Sequence, residues 1–276
     1  MEIIFNKLCY IEHKSSSIER KYLEDVNIII NEGEITGFIG DNLEIIGKLL
    51  TAIKRPTKGE LKIDNVIIKR TSHINNINAL RKHIGFVYSS SNKKFVTNSV
   101  KKEISTIMKN YNYKAKNNLK HIVDSLKIAS LNESYLDRNP NELSSIEQKK
   151  VLLAGIMSYN PEVIILESFF KGMTFRDKEY FRKLFLKLKN KYDKTIIVLE
   201  NDISYMFDFV DKVHVINKGK NVLSGGKEIY YYDKVYKYVE MPKIVEFIKY
   251  VKGQGHNILE YTDIKELLKE LYRHVG

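Results

Sequence analysis

The sequence has little of what defines several common protein classes. Its 276 residues include one cysteine, which excludes a disulfide scaffold and a cysteine-based zinc site. The longest apolar runs, such as Val163–Leu166 and Thr195–Leu199, fall far short of the roughly 18–20 residues that span a bilayer. The N-terminus opens with Glu2 and lacks the basic region of a signal peptide. These absences predict a soluble, cytosolic protein.

Two kinds of catalytic or metal site are also missing from the sequence pattern. The seven histidines are scattered, with no pair four residues apart and no cysteine beside them, so a zinc site is not expected. No Gly-x-Ser-x-Gly motif marks a nucleophile. No internal repeat or low-complexity segment is visible.

The charge balance is basic but does not by itself identify a partner. The chain has 46 Lys and Arg against 34 Asp and Glu, a net charge of +12, and only eight of the cations are Arg. A basic surface attracts nucleic acid, anionic lipid and nucleotide alike. A solvated, lysine-rich surface and a specific anionic partner therefore both remain open.

What the sequence does contain is an alternation of strands and helices. The run Val163–Leu166 is continuously apolar, which is typical of a strand buried on both faces in a parallel sheet. Helical spacing of apolar residues marks Thr97–Lys109, Lys116–Lys127 and Ser144–Tyr159. The predicted strands are Ile3–Tyr10, Leu23–Asn31, Glu34–Gly40, Leu61–Ile68, Val163–Leu166, Thr195–Leu199, Lys212–Asn217 and Asn221–Ser224. The pattern predicts an α/β protein with a parallel core sheet.

The last part of the chain differs from the rest. Two amphipathic helices are predicted, one beginning near Pro242 and the other near Thr262. Two short amphipathic helices need a surface to cover, either on this domain or on a partner. We therefore divide the chain into a main domain, residues 1–228, and a C-terminal helical extension, residues 229–276.

Several landmarks occur in the order found in one known family. They are Glu32–Gly40, Arg55–Leu61, Leu136–Ser144, Ala154–Leu166 and Val213–Lys220. In that order they resemble the strand entering the phosphate loop, the turn after the first helix, the approach to the signature, the signature helix with the Walker B strand, and the late hairpin of an ATP-binding cassette (ABC). The tail, Met241–Phe247, is similar to the C-terminal extension of energy-coupling-factor (ECF) transporters, which import vitamins and metal ions.

This resemblance implies a fold, ligands and partners. The expected fold is an ABC-ATPase-like mixed sheet with a parallel core, a helical subdomain at about residues 95–160 and a small C-terminal helical extension. The family's ligands are ATP and Mg²⁺. The expected partners are a second ABC ATPase subunit, in a homodimer or a heterodimer, and a polytopic membrane subunit, at the inner face of the cell membrane. Nucleic acid is not an expected partner.

The resemblance also places candidate site residues. The kept spacing between residues 85 and 104 predicts a groove that receives the membrane subunit. The nucleotide-binding candidates are Tyr10, Gly40, Asn42, Gly47, Lys48 and Ser144, the metal candidate is Glu167, and the coupling-surface candidates are Phe95, Val100 and Glu103. No residue of the chain matches the family's catalytic groups.

The phosphate loop departs from the family pattern. The motif G-x-x-x-x-G-K-[ST] needs its glycines for backbone N–H groups to wrap the phosphates, its Lys for the β/γ oxygens and its hydroxyl for magnesium. Here the interval from Gly40 to Gly47 is two residues too long. Counted from Gly40, the Lys position holds Ile46; counted from Lys48, the metal-binding hydroxyl is replaced by Leu49.

The family's other functional positions are altered in the same way. The Walker B carboxylate pair becomes Glu167-Ser168, the loop glutamine maps to Ser89, the switch histidine maps to Asn201, the dimer loop reads 171–174 as Lys-Gly-Met-Thr, and the LSGGQ signature reads 143–147 as Leu-Ser-Ser-Ile-Glu. Cassette hydrolysis depends on electrostatic stabilisation by several of these groups together. The combined losses predict a pseudo-ATPase.

Two helix N-termini that meet phosphate in the family carry carboxylates here. Ser144 and Glu147 have capping-box spacing, in which each side chain bonds the other's backbone N–H. Asp41 and Glu44 repeat the acidic pattern at the first helix. We expect these carboxylates to close both anion sites, although acidic residues at helix N-termini are also ordinary stabilisers.

These features predict a degenerate cassette subunit of an importer-like complex, which supplies a dimer surface and a dock for a membrane subunit. Two other functions remain open. One is an active transporter ATPase with a rearranged site that uses Lys48 and Glu167. The other is a soluble regulator or nucleic-acid binder on the cassette fold.

Overall fold

The computed structural model describes residues 1–13, 17–72, 74–88, 95–260 and 264–275. Within these ranges the chain forms the predicted α/β fold with two sheets. The strands are β1 (Ile3–Glu12), β2 (Arg20–Ile30), β3 (Ile35–Gly40), β4 (Lys58–Ile63), β5 (Val66–Ile68), β6 (Ile84–Val87), β7 (Val163–Glu167), β8 (Thr195–Leu199), β9 (Lys212–Asn217) and β10 (Lys220–Gly225). The helices are α1 (Leu43–Leu50), α2 (Ile74–Arg81), α3 (Val100–Asn110), α4 (Asn118–Ile128), α5 (Ser145–Met157), α6 (Phe175–Tyr192), α7 (Lys243–Gly253) and α8 (Ile264–Val275).

The larger sheet has the order β10-β9-β3-β8-β7-β6 and a parallel core. Strands β6, β7, β8, β3 and β9 run parallel, and β10 closes the edge as the antiparallel partner of β9. Val163–Leu166 is 0% exposed along its length. The apolar run is therefore buried on both faces, as its composition predicts.

The smaller sheet is antiparallel, with the order β2-β1-β4-β5. The sequence predicts one strand over Leu61–Ile68, but the structure has two strands there, β4 and β5, which pair with each other. Asp64, between them, has φ +51°. Asp tolerates this left-handed conformation better than most residues, so the chain turns there instead of continuing.

Two apolar cores lie on the two faces of the parallel sheet. One is enclosed by the antiparallel sheet and α1 and includes Phe5, Phe38 and Leu49. The other lies under the helices that follow β6 and includes Ile104 and Phe181. Helices α3, α4 and α5 fall within the predicted helical subdomain, residues 95–160, and α5 packs against both of the others.

The C-terminal extension shares part of the main core. Tyr230 and Val245 belong to the core under the helices, whereas Ile248, Ile258 and Leu267 form a small cluster of their own. The predicted start of the last helix, Thr262, lies outside the described residues. The boundary at residue 229 stays a prediction. None of the helices within the described ranges combines the length and hydrophobicity that a membrane crossing requires.

Candidate functional site at the ends of the parallel strands

The altered segments after Gly40, Glu167 and Leu199 lie at one edge of the parallel sheet. Strands β3, β7 and β8 run side by side, with Phe38 beside Leu199 and Glu167 beside Leu199. The segments that follow these strands therefore share the edge formed by their carboxyl ends. In open α/β sheets, ligands bind at this edge.

The turn from β3 into α1 is too short for a phosphate loop. Strand β3 ends at Gly40 and α1 begins at Leu43, so only Asp41 and Asn42 separate them. In a phosphate loop, four residues lie between the two glycines and the Gly-Lys pair opens the helix. The chain enters α1 directly and does not form that loop.

Backbone donors of this turn bond to the protein itself. The N–H of Gly40 donates to Oδ1 of Asn201 at 2.8 Å, and the N–H of Asp41 donates to the carbonyl oxygen of Ile216 at 2.9 Å. The side-chain amide of Asn42 donates to the carbonyl oxygen of Tyr22 at 2.9 Å. Asn201, which the sequence analysis matches to the switch histidine, therefore fastens the turn in place.

The candidates Gly47 and Lys48 lie inside α1 and not at its N-terminus. The Lys48 ammonium forms an ion pair with Glu44, one turn earlier. Gly47 is buried, and a Cβ placed on it would lie 2.6 Å from Cζ of Phe86. Glycine at this position allows α1 to pack closely against the sheet, which is a structural reason for the residue.

The expected closure of α1 by its own carboxylates is wrong. Helix α1, which lies wholly within the described ranges, has no side-chain cap. Because the turn is so short, Asp41 precedes the helix by two residues and its carboxylate accepts the N–H of Lys218 in the late hairpin at 2.9 Å. Glu44 pairs with Lys48 instead of with the backbone.

Tyr10, the candidate adenine-stacking residue, is buried. Tyr10 is 5% exposed. The centroid of its ring lies 6.0 Å from that of Tyr22, and its hydroxyl donates to Oε1 of Glu12 at 2.9 Å. Burial is the main cause that raises the pKa of Tyr10 above its ordinary value. An open groove of about 600 Å³ passes beside it, with Lys54 among its lining residues.

The end of β7 is held by a buried lysine that the sequence analysis did not single out. The Lys149 ammonium, on α5, donates to the carbonyl oxygens of Ser168 at 2.5 Å, Phe169 at 3.3 Å and Lys171 at 3.1 Å. Burial lowers the pKa of Lys149, and the charge of Glu200 opposes that shift. These bonds fasten α5 to the turn after β7.

Two carboxylates, the metal candidate Glu167 and Glu200, follow one another at the ends of β7 and β8. Glu167 is the last residue of β7 and is half-buried. Glu200, after β8, is 4% exposed, and burial is the main cause that raises its pKa. Within the described ranges, His, Cys, Asp and Glu side chains do not come together in any group of three or more that could hold a metal ion.

The signature helix α5 has the predicted capping box. The Glu147 N–H donates to Oγ of Ser144 at 3.3 Å, and Oε2 of Glu147 accepts the Ser144 N–H at 2.9 Å. A third residue completes the arrangement: the hydroxyl of Tyr135 donates to Oε1 of Glu147 at 2.6 Å. The Tyr135 bond, followed by the bonds from Ser144, lowers the pKa of Glu147 to about 2.

The coupling-surface candidates lie at the start of the helical region. Phe95 is half-buried, and its N–H donates to Oδ1 of Asn141 at 2.8 Å. Val100 is fully buried, and Glu103 accepts the N–H of Thr97 at 2.9 Å. Val96, between them, is 87% exposed. Val100 and Glu103 thus support the segment, and Val96 supplies exposed apolar surface. Residues 89–94, with Ser89, lie outside the described residues.

The contacts that sequence reasoning missed are long-range. Tyr135 lies 12 residues before Glu147, Lys149 lies 19 residues before Ser168, and Asn201 lies 161 residues after Gly40. These separations along the sequence are too long to form a local sequence pattern. Lys149 is buried, Tyr135 is half-buried and Asn201 is exposed, so burial of a polar residue could have indicated only the first of the three.

Comparison with known proteins gives the class of the molecule. Residues 23–171 match the ABC transporter family. The chain belongs to the ABC transporter family.

Similar relatives are ATP-binding proteins of energy-coupling-factor transporters. EcfA2 of Streptococcus thermophilus is 26% identical over 263 residues, which is 93% of this chain and 94% of that protein. EcfA2 of Streptococcus agalactiae is 27% identical, with 94% of each chain covered. EcfA3 of Oenococcus oeni is 25% identical, with 98% of this chain and 96% of that protein covered.

Solved structures share the fold. The cassette MJ0796, determined as a dimer in a post-hydrolysis state bound to ADP and Pi, has a TM-score of 0.74 at 22% identity and covers 82% of this chain and 98% of its own. CbiO1 of Clostridium perfringens, part of the ABC transporter complex cbiONQ, has a TM-score of 0.70 at 23% identity, with coverages of 90% and 98%.

Proposed function

We propose that this chain is a cassette subunit of an energy-coupling-factor type importer complex that does not hydrolyse ATP itself. Family membership over residues 23–171 supports the transporter role, and the names of the similar relatives support the importer class. In this role the chain supplies a dimer surface for a second cassette and a dock for a membrane subunit. It acts at the cytoplasmic face of the membrane.

The observation that carries the proposal is the two-residue turn between β3 and α1. A triphosphate at this turn would compete with the bond from Gly40 to Asn201 and would meet Glu44 in the first turn of the helix. The first turn offers neither a lysine nor a hydroxyl, since it begins Leu43-Glu44-Ile45. Catalysis of phosphoryl transfer rests on positioning and charge stabilisation, and the groups that provide these are absent from the turn.

The proposed dock for the membrane subunit is the surface around Phe95 and Val96. Val96 is almost fully exposed, and the segment beneath it is fixed by the buried Val100. An exposed apolar side chain on a fixed segment fits an apolar helix of a partner. If Val96→Asp left assembly with the membrane subunit unchanged, this placement would be wrong.

Calorimetry and phosphate release test the ATP-independent role directly. The purified chain is titrated with ATP and magnesium, and phosphate release is followed for the same sample. We expect no binding in the micromolar range and no release above background. A second intact cassette, purified from the same cells, is the positive control.

Micromolar binding with steady turnover would overturn the proposal and favour the rearranged site. That site would have to use Lys48 and Glu167, so Lys48→Met would then abolish turnover. If the proposal holds, Lys48→Met removes only the pair with Glu44 inside the helix, and neither form binds ATP in the micromolar range or releases phosphate above background. Affinity purification tests the complex, with an intact cassette and a polytopic membrane protein as the expected companions.

A further inference from the structure

The positive charge of the chain is concentrated in one segment of the helical region. We call residues 101–120 the lysine segment. It contains six lysines and one acid, Glu103, whereas the whole chain has 46 Lys and Arg against 34 Asp and Glu. Glu103 is buried and accepts the N–H of Thr97 at 2.9 Å. The lysines, all of them exposed, are Lys101, Lys102, Lys109, Lys114, Lys116 and Lys120. The charge that this segment shows to solvent is therefore wholly positive.

The six lysines also lack the carboxylate partners that lysines have elsewhere in the molecule. Lys48, Lys150 and Lys189 each form an ion pair. Within the described residues none of the six does so, and the ammonium of Lys102 donates only to Oδ1 of Asn98, at 3.5 Å. Cations that are not neutralised from within the molecule create a potential that attracts an external anion.

The lysine segment surrounds a cavity of about 340 Å³ between the end of α3 and the start of α4. Lys109 and Lys114 line this cavity, and so do Asn112 and Asn118. The side-chain amides of both asparagines are without a hydrogen-bond partner in the part of the chain that the structure describes. Ammonium and amide donors together fit the oxygens of a phosphate group.

The aromatic rings of the segment are not available to stack on bases. The ring of Tyr111 is stacked on that of Tyr159, with centroids 4.0 Å apart, and the ring of Tyr113 on that of His121, at 5.0 Å. Single-stranded nucleic acid is bound through free aromatic rings, and bases are commonly read by arginine. The lysine segment contains no arginine. These observations favour an anionic surface that is not read base by base.

An apolar side chain stands among the lysines. Leu119, in the first turn of α4, is 48% exposed, and Lys120 follows it directly. Exposed leucine beside lysine is the combination that lies at the boundary between the headgroups and the acyl chains of a bilayer. It adds an apolar contact that a soluble anion does not use.

We propose that the lysine segment binds the surface of an anionic phospholipid membrane, with a headgroup phosphate in the cavity beside Lys109 and Lys114. Clusters of four to eight lysines are attracted to anionic lipid in this way. Leu119 then enters the headgroup region. The binding needs neither a second cassette nor a membrane subunit, so it stands or falls apart from the proposed function.

Vesicle cosedimentation of the purified full-length chain tests the proposal. One set of vesicles holds equal parts of phosphatidylglycerol and phosphatidylcholine, and the other holds phosphatidylcholine alone. We expect binding to the anionic vesicles only, and we expect it to weaken as salt is added. Equal binding to both sets of vesicles would overturn the proposal.

Two double variants separate the lysine segment from the net charge of the chain. Lys109→Gln with Lys114→Gln removes the two cavity lysines, and we expect the apparent Kd for anionic vesicles to rise about tenfold. Lys21→Gln with Lys58→Gln is the matched control. Both control lysines are exposed and lie on β2 and β4 of the antiparallel sheet, on the other face of the parallel sheet from the helices. The control should change the apparent Kd less than about twofold. Equal losses in the two double variants would overturn the proposal.

An NMR titration with dihexanoylphosphatidylglycerol, a soluble lipid with the same headgroup, tests the cavity itself. We expect the largest shifts at the amides of Lys109, Asn112, Lys114 and Asn118. Largest shifts in the antiparallel sheet would overturn the placement.

Two further titrations distinguish other anions from lipid. Inorganic phosphate that saturates the same amides while the chain fails to bind vesicles would assign the cavity to a soluble phosphate and overturn the membrane proposal. A short single-stranded DNA that binds more tightly than the vesicles, and more weakly to the cavity variant, would overturn it in favour of nucleic acid. Nucleotide turnover and complex assembly, which decide the proposed function, do not enter these measurements.

Discussion

Helices α1 and α5 both begin with a glutamate in the first turn, Glu44 in α1 and Glu147 in α5. In α5 the glutamate returns to the backbone of Ser144 and closes a capping box. In α1 the glutamate pairs with a lysine along the helix, and the preceding turn is held by bonds from its own backbone. The same residue type therefore has different structural roles at the two helices.

The difference comes from what precedes each helix. Helix α5 follows a segment that leaves a serine at the N-cap, so the local spacing alone determines the contact. Helix α1 follows a turn of two residues, which moves Asp41 away from the helix and toward the N–H of Lys218. Glu44 itself is the second residue after its N-cap, Asn42, whereas Glu147 is the third after Ser144, which is the spacing that a capping box requires.

Lys149 gives the largest expected effect at α5. Lys149→Met would leave three carbonyl oxygens after β7 without their donor, and at least one of these bonds is fully buried. Unsatisfied buried acceptors are destabilising, and we expect a loss of about 3 kcal/mol in the free energy of unfolding. Urea denaturation measures it.

Lys150→Met is the matched control for Lys149→Met. Lys150 is the next residue of α5 and pairs with Asp177 at 2.7 Å in a less buried setting. We expect it to lower the free energy of unfolding by about 1 kcal/mol. Equal losses for the two variants would show that the carbonyl contacts of Lys149 add nothing.

Glu147→Gln should give the next largest effect, and it should depend on pH. The variant loses charged hydrogen bonds and a negative charge at a helix N-terminus. We expect this to lower the free energy of unfolding by about 1.5 kcal/mol at neutral pH. The pKa of Glu147 is lowered from 4.5 to about 2 in the folded chain. Its stabilising effect is therefore present above pH 4.5 and lost as the pH falls toward 2.

Thermal unfolding at several pH values checks this prediction. The Tm difference between wild type and Glu147→Gln should be largest at pH 6 to 7, narrow below about pH 4.5 and be smallest near pH 2. A difference that stays constant over this interval would mean that the carboxylate charge does not stabilise α5.

The fold could be predicted well from the sequence, and the site only in part. Buried strands such as Val163–Leu166 are marked by an unbroken apolar run in the sequence, and the capping box of Ser144 and Glu147 lies within four residues. The turn at Gly40 could not be predicted, because α1 begins at Leu43 without a side-chain cap that would mark its start in the sequence. The family motif places a Gly-Lys pair at the start of the first helix, whereas Gly47 and Lys48 lie within α1.

At α1 the most informative change is Asn201→Ala. Asn201 accepts the N–H of Gly40 at 2.8 Å and so links β8 to the start of the turn. Its loss should destabilise the chain by about 1 kcal/mol, the usual net value of one hydrogen bond. Hydrogen exchange should show faster exchange of the Gly40 amide, with the amides inside α5 unchanged. Equal acceleration in α5 would mean that the two helix ends are coupled and not independent.

Glu44→Gln is the smallest predicted effect and the most direct comparison with Glu147→Gln. The chemical change is identical, and both residues lie in the first turn of a helix. Glu44 is exposed and pairs with Lys48 four residues later. The variant should therefore lower the free energy of unfolding by about 0.3–0.5 kcal/mol. This loss should shrink in high salt, because solvent screens an exposed pair, whereas the loss at Glu147 should persist. Urea denaturation of both variants at low and high salt measures the two losses. If Glu44→Gln destabilised the chain as much as Glu147→Gln, its carboxylate would have to bond the helix backbone, and the distinction between the two helix ends would fail.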